Sequence, residues 1–154
     1  MATNYDVEVI GAEKAALKMQ AIIERTDKLQ LVFESARLEL AAANAANFAS
    51  NGLPSGKAWA PLDAKYGSWK SRRFPGRPTM VRSGRLFQSL STLSDSVNKI
   101  SGNNAQFGTT VDYARFHQRG TFKMPKRVIL FEPPGFARRL GIKIGKFVVD
   151  GEVI

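Results

Sequence analysis

Residues 107–127 read FGTTVDYARFHQRGTFKMPKR, and the fold turns on how that run is parsed. Val111, Tyr113 and Phe116 are β-formers, Gly120 tolerates positive φ, and Met124-Pro125 opens a new extended run, Val128 to Phe131. The pattern predicts strand, turn and strand under a dense basic and aromatic surface, which suits recognition better than catalysis. Tyr113 and Phe116, three apart in an alternating run, would face opposite sides of such a strand.

Upstream of this run, Ser96 to Ile100, a turn at Ser101 to Asn104, and Ala105 to Tyr113 predict a hairpin. Ala114 to Gln118 continue it as strand or as a single helical turn. Downstream, Pro133-Pro134-Gly135 breaks the chain before a helical turn at Phe136 to Leu140, and Ile142, Ile144, Phe147 and Val149 favour a final strand. At the N-terminus, Asp6 to Ile10 alternates as a short strand ended by Gly11. From Ala12 to about Ser50, Met19, Ile22, Ile23, Leu29, Phe33, Ala36, Leu40 and Ala43 recur at helical intervals with no Gly or Pro. That is one long helix, or two broken near Thr26-Asp27 with Thr26 capping the second. The small residues of Ala41 to Ala49 permit close helix approach or simply form a solvent-edge end.

Asn51-Gly52-Leu53-Pro54-Ser55-Gly56 stops the helix and opens a long irregular connection over residues 51–80. Ser83 to Leu90 reads as a short helix capped by Ser83. The expected class is therefore α+β: a long N-terminal helix packed on an antiparallel sheet of about four to five strands, with a long irregular loop. One domain spans 1–154, with 51–80 as the extended loop and 132–154 as a C-terminal arm suited to a partner.

Composition narrows the function. The 154 residues are 44% hydrophobic, enough for a real core, and contain no cysteine, which excludes disulfides and thiolate metal sites. Intracellular synthesis is the simple reading, because charged residues interrupt positions 1–30 and leave no apolar run for a signal peptide or membrane span. The net charge of +10 is uneven: residues 1–50 carry 5 basic and 7 acidic groups, residues 57–85 carry 8 and 1, and residues 115–146 carry 9 and 1. Such basic stretches suit phosphate backbone, an acidic protein partner, or no partner at all. In the 51–80 loop, Trp59, Tyr66, Trp69 and Phe74 are interleaved with Lys57, Lys65, Lys70, Arg72, Arg73 and Arg77, a mixture able to stack on bases or to anchor an interface. Trp59 and Trp69 could instead pin the loop to the core.

Residues for chemistry are scarce. His117 is the one histidine, and beside Phe116 and Gln118 it suits a structural or contact role better than general-base work. No Gly-x-Ser-x-Gly elbow, Walker-type phosphate loop or Gly-x-Gly-x-x-Gly turn occurs. Seven of the 13 acidic residues fall in the first 50 positions at helix-surface spacing, and Asp63, Asp95, Asp112 and Glu132 signal no carboxylate pair. The expectation is no enzyme, no metal and no cofactor.

Three blocks carry a family resemblance. Trp59-Ala60-Pro61-Leu62 is followed by Tyr66-Gly67-Ser68-Trp69-Lys70. Ser83-Gly84-Arg85-Leu86 with Ser89-Leu90 is similar to a Thr-Gly-x-Leu-x-x-Ser pattern with serine first. The most specific runs from Phe107-Gly108-Thr109 through Tyr113-Ala114-Arg115-Phe116-His117-Gln118-Arg119-Gly120-Thr121 to Met124-Pro125-Lys126-Arg127. Together they resemble the phage virion morphogenesis, or tail completion, proteins; Glu132 to Ile154 shows least likeness. The resemblance implies an α+β subunit of a homo-oligomeric ring, a hexamer, at the head-tail junction of the virion, assembled in the host cytoplasm. Its partners would be portal and adaptor proteins, tail terminator or tail tube proteins, and transiently the passing DNA. The family has no established catalytic residues to carry over. Candidate contacts are Trp59, Tyr66, Trp69, Arg72, Arg73 and Phe74 in the loop, and Tyr113, His117, Arg119 and Lys126 near the hairpin. Rival readings are a sequence-independent nucleic-acid-binding module and, last, a hydrolase centred on His117.

Overall fold

The structure, a computed structural model, describes residues 10–92, 94 and 96–153. Helices α1 (Ala12–Thr26) and α2 (Gln30–Ala49) are followed by a short 3-10 turn, Leu53–Ser55, and by α3 (Ala64–Arg73) and α4 (Arg85–Ser91). Strands β1 (Ser96–Ser101) and β2 (Asn104–Thr109) form an antiparallel hairpin, and α5 (Ala114–Arg119) and α6 (Phe136–Asp150) complete the chain. The class is α+β, but the described residues hold one two-stranded sheet, so the expected four to five strands are corrected. The Asp6 to Ile10 strand lies outside the described residues, apart from Ile10, which sits in a turn.

The helical N-terminal region is two helices. Thr26 ends α1 rather than capping α2, since its hydroxyl donates to Ile23 O at 2.6 Å. α2, 20 residues and about 30 Å long, is the spine. Toward its C-terminal end, Phe48 packs with Trp59, Val81, Leu86, Leu90, Val111, Ala114 and Ile129. Toward its N-terminal end, Leu29, Val32 and Phe33 pack with Phe147 of α6, beside Ile100 and Phe107 of the hairpin. The small residues of α2 serve close approach, because Ala41, Asn44 and Asn47 are buried there.

Each missing strand has a cause. β2 ends at Thr109, whose hydroxyl meets Ser89 Oγ at 2.6 Å and accepts from Val111 N at 3.1 Å, turning the chain out of the ladder. Residues 114–119 then take the helical alternative. Val128 to Phe131 is extended, yet side chains occupy its main-chain groups where a strand would sit. Gln118 Oε1 accepts from Ile129 N and Leu130 N at 2.9 and 3.0 Å, and its Nε2 donates to Leu130 O at 2.7 Å. Val128 O takes donations from Asn47 Nδ2 and Trp59 Nε1 at 3.0 and 2.8 Å. At the C-terminus, the buried or half-buried Phe136, Leu140, Ile144 and Phe147 fall at i, i+4, i+8 and i+11, a helical stripe that outweighs the local alternation of Ile142 and Ile144.

Within residues 132–153, α6 is packed on the fold. α6 runs back along α2, with Arg139 Nη2 at 2.5 Å from Glu39 Oε1 and Lys143 Nζ at 2.8 Å from Ser35 Oγ. Arg25 of α1 donates to Val148 O and Val149 O at 3.1 and 2.6 Å, satisfying carbonyls at the C-terminal end of α6. Residues 51–80 are not wholly irregular: Asp63 Oδ1 caps α3 by accepting from Lys65 N and Tyr66 N at 3.0 and 3.1 Å. Ser83 does not cap α4; Gly84, at φ 92°, occupies the cap position.

Gln118→Ala strands two buried donors and an acceptor, and should lower the unfolding free energy by about 3 kcal/mol. Gln118→Glu keeps the acceptor and should cost less. Urea denaturation of the three proteins checks the order.

Candidate docking groove

The run of residues 107–127 builds one wall of a groove. Tyr113, Phe116 and His117 fall at i, i+3 and i+4 on and just before α5, so Tyr113 and Phe116 share a face, contrary to the strand reading. The opposite wall is Leu62 and Tyr66 with the start of α3, and the segment through Met80 to Leu86 closes one side. The groove measures about 500 Å³, is mostly apolar, and carries Arg82, Lys123 and Arg127 against a single acidic lining residue, Asp63.

Two buried cations hold these walls. Arg127 donates from Nε to Ala60 O at 3.0 Å and from Nη2 to Pro61 O at 2.9 Å, while its own N–H donates to His117 O at 2.8 Å. Lys70, only 4% exposed, donates from Nζ to Arg77 O and Thr79 O at 3.2 and 3.1 Å and also to Pro78 O. It ties α3 to the loop after it. Burial lowers the pKa of both groups by penalising the charged form. At Gly120, with φ 77°, an added Cβ would lie 2.9 Å from Lys126 N, so glycine is what lets the chain after α5 fold back beneath the groove.

Of the expected contact residues, Tyr66, Tyr113 and His117 line the groove together. Trp69, Arg72, Arg73 and Phe74 lie along or at the end of α3 without lining it: Tyr66 stacks on Trp69 with centroids 5.5 Å apart, and Trp69 meets Phe74 edge-on at 5.8 Å. Arg72 and Arg73 are exposed beside that aromatic run, and Arg119 and Lys126 are exposed on the chain flanking the groove. Trp59 is corrected to a core residue. Its ring meets Phe48 edge-on at 5.2 Å, and it fits because Gly52 has no Cβ: one there would lie 2.4 Å from the indole. Sequence reasoning passed over Arg127, Lys70 and Phe116. Arg127 and Lys70 looked like surface charge, and no single-sequence signal separates a buried cation on carbonyls from a solvated one.

His117 is half-buried, and its Nδ1 is enclosed without a hydrogen-bond partner. Desolvation, and then the positive charge of Arg127, lower its pKa from the usual 6.5. Among the described residues, no three His, Cys, Asp or Glu side chains group to hold a metal.

An α+β chain hung on one spine helix, with polar motif residues fixing main chain and an aromatic-basic groove left open at one end, is the class these features define. The chain belongs to the phage virion morphogenesis family, whose profile matches residues 10–140. Its role is therefore in building the bacteriophage virion. No curated protein and no solved structure matches it. Among the described residues, no helix is long and apolar enough to cross a membrane.

Because the folded His117 pKa lies below 6.5, the unfolded chain takes up this proton first as pH falls. The stability linked to His117 is complete above about pH 6.5 and is lost on acidification toward the folded value. Wild type should lose more stability between pH 7.5 and 5.5 than His117→Gln, as read by urea denaturation at both pH values; equal losses would contradict this placement of the imidazole.

Proposed function

We propose that the protein is a structural connector of a tailed-phage virion, a homo-oligomeric ring, six-fold in this reading, at the head-tail junction. It joins portal and adaptor proteins on the head side to tail terminator or tail tube proteins on the other, and leaves DNA a path through. No catalytic step, metal or cofactor belongs to this reading. Membership of the virion morphogenesis family carries it. The exposed Tyr66 and Trp69, with half-buried Phe74 at their end and Arg72 and Arg73 beside them, and the open groove nearby, support it as surfaces suited to protein contacts.

Purified protein added to separated heads and tails of a phage lacking this gene should restore joined, infectious particles. The triple variant Trp69→Ala, Arg72→Ala, Arg73→Ala, which alters exposed side chains, should lower the yield roughly tenfold, an affinity loss of about 1.4 kcal/mol. No joining with folded protein would contradict the connector.

The same α3 surface favours a second reading, a platform for nucleic acid, because stacked exposed aromatics beside arginines accept bases of any sequence. That reading requires binding to free single-stranded DNA that falls steeply with added salt; the connector requires none.

A further inference from the structure

Two apolar surfaces are left open at opposite ends of α2. At its N-terminal end, α1 has no buried residue, and every side chain from Ala12 to Gln20 is exposed. α1 meets α6 near its own C-terminus, through half-buried Ala21, Ile22 and Arg25, so about 13 Å of helix projects beyond the fold. Away from α6, Ala12, Ala16, Met19 and Ile23 fall at i, i+4, i+7 and i+11, one stripe along the helix. Met19 is 66% and Ile23 64% exposed.

At the C-terminal end of α2 lies the groove, whose apolar lining includes Leu62, Met80, Leu86, Phe116, Met124 and Pro125. Phe122, 104% exposed, directly precedes the lining residues Lys123 and Met124. It is held out rather than left loose: Thr121 and Met124 pair main chain to main chain at 2.9 and 3.2 Å, and Thr121 Oγ1 accepts from Lys123 N and Met124 N at 3.3 and 3.1 Å.

Charge indicates the occupant. The groove carries the exposed cations Arg82 and Lys123, and on α1 the acidic Glu13 and Glu24 lie beside the apolar stripe, whereas Lys14 and Lys18 fall on the face that Arg25 turns to α6.

The geometry points to a head-to-tail contact between copies, in which the α1 stripe of one subunit lies in the groove between α3 and α5 of the next, beside that subunit's Phe122. This is helix-in-groove recognition. Donor and acceptor surfaces differ and are separated by the length of α2, so the contact propagates into a ring or a filament instead of stopping at a pair. The inference deepens the connector reading by naming its subunit contact.

Sedimentation of the full chain tests it with two variants, Met19→Lys/Ile23→Lys on α1 and Phe116→Lys in the groove, their folds checked by circular dichroism. Wild type should assemble at protomer concentrations on the order of 100 µM, each variant alone should be monomeric, and their mixture should give a one-to-one dimer, since one intact α1 meets one intact groove. Wild type that stays monomeric, variants that assemble like wild type, or a mixture that stays monomeric would each overturn the contact. If Phe116→Lys fails to fold, the α1 variant, which keeps its groove, should shorten wild-type assemblies on mixing; unchanged assemblies would overturn it. A protein that assembles this way but does not join heads to tails retains the contact and loses the connector role.

Discussion

The structure depends on one constraint: an extended segment with no strand beside it must still satisfy its main chain. Residues 128–130 lie across the end of α2 with Ile129 in the core. Gln118, Asn47 and Trp59 supply the donors and acceptors a neighbouring strand would give. Buried N–H and C=O groups left unpaired cost more than most single packing contacts return, so this side-chain ladder decides whether the C-terminal half of the fold forms. It also joins four separate stretches of chain at one place: α2, the Trp59 segment, α5 and residues 128–130.

The same economy places the groove. Lys70 and Arg127 spend their charge on carbonyls of residues 60–61 and 77–79, so two of the most basic stretches are stitched to the frame rather than offered wholly to solvent. The remaining cations and the α3 aromatics stay outside. Walls contributed by α5 and by α3 then border an apolar space that the chain does not fill. At the far end, α6 takes up the packing face at the start of α2, which leaves α1 attached by its last turns alone.

The hairpin, the helical N-terminal region with its break near Thr26-Asp27, and the short helix after Ser83 were legible in the sequence because each rests on local patterning. The family was legible too, through short blocks. The strand count was not, because Gln118 looks like any exposed amide until the chain closes eleven and twelve residues later, and a segment paired by side chains has the composition of a strand. α6 was misread because Gly141, Gly145 and alternating isoleucines mask a stripe that becomes visible only over about three turns. At the site, Tyr66, Tyr113 and His117 were found by residue type. Trp59 was left open between a contact and a pin to the core because its burial depends on Gly52, seven residues away, and Phe122 was missed because full exposure of an aromatic has no sequence signature.

The chain satisfies its own main chain with side chains and leaves a groove at one end and an apolar helix at the other, the two surfaces used by the proposed contact between copies, in a family that builds the phage virion. The most direct measurement is a cryo-electron microscopy reconstruction of the neck of the phage particle. The account predicts a closed ring of this chain between head and tail, with α1 of each copy on the α3–α5 groove of its neighbour. A particle in which the chain is absent from the neck, or is present there as isolated copies, would contradict it.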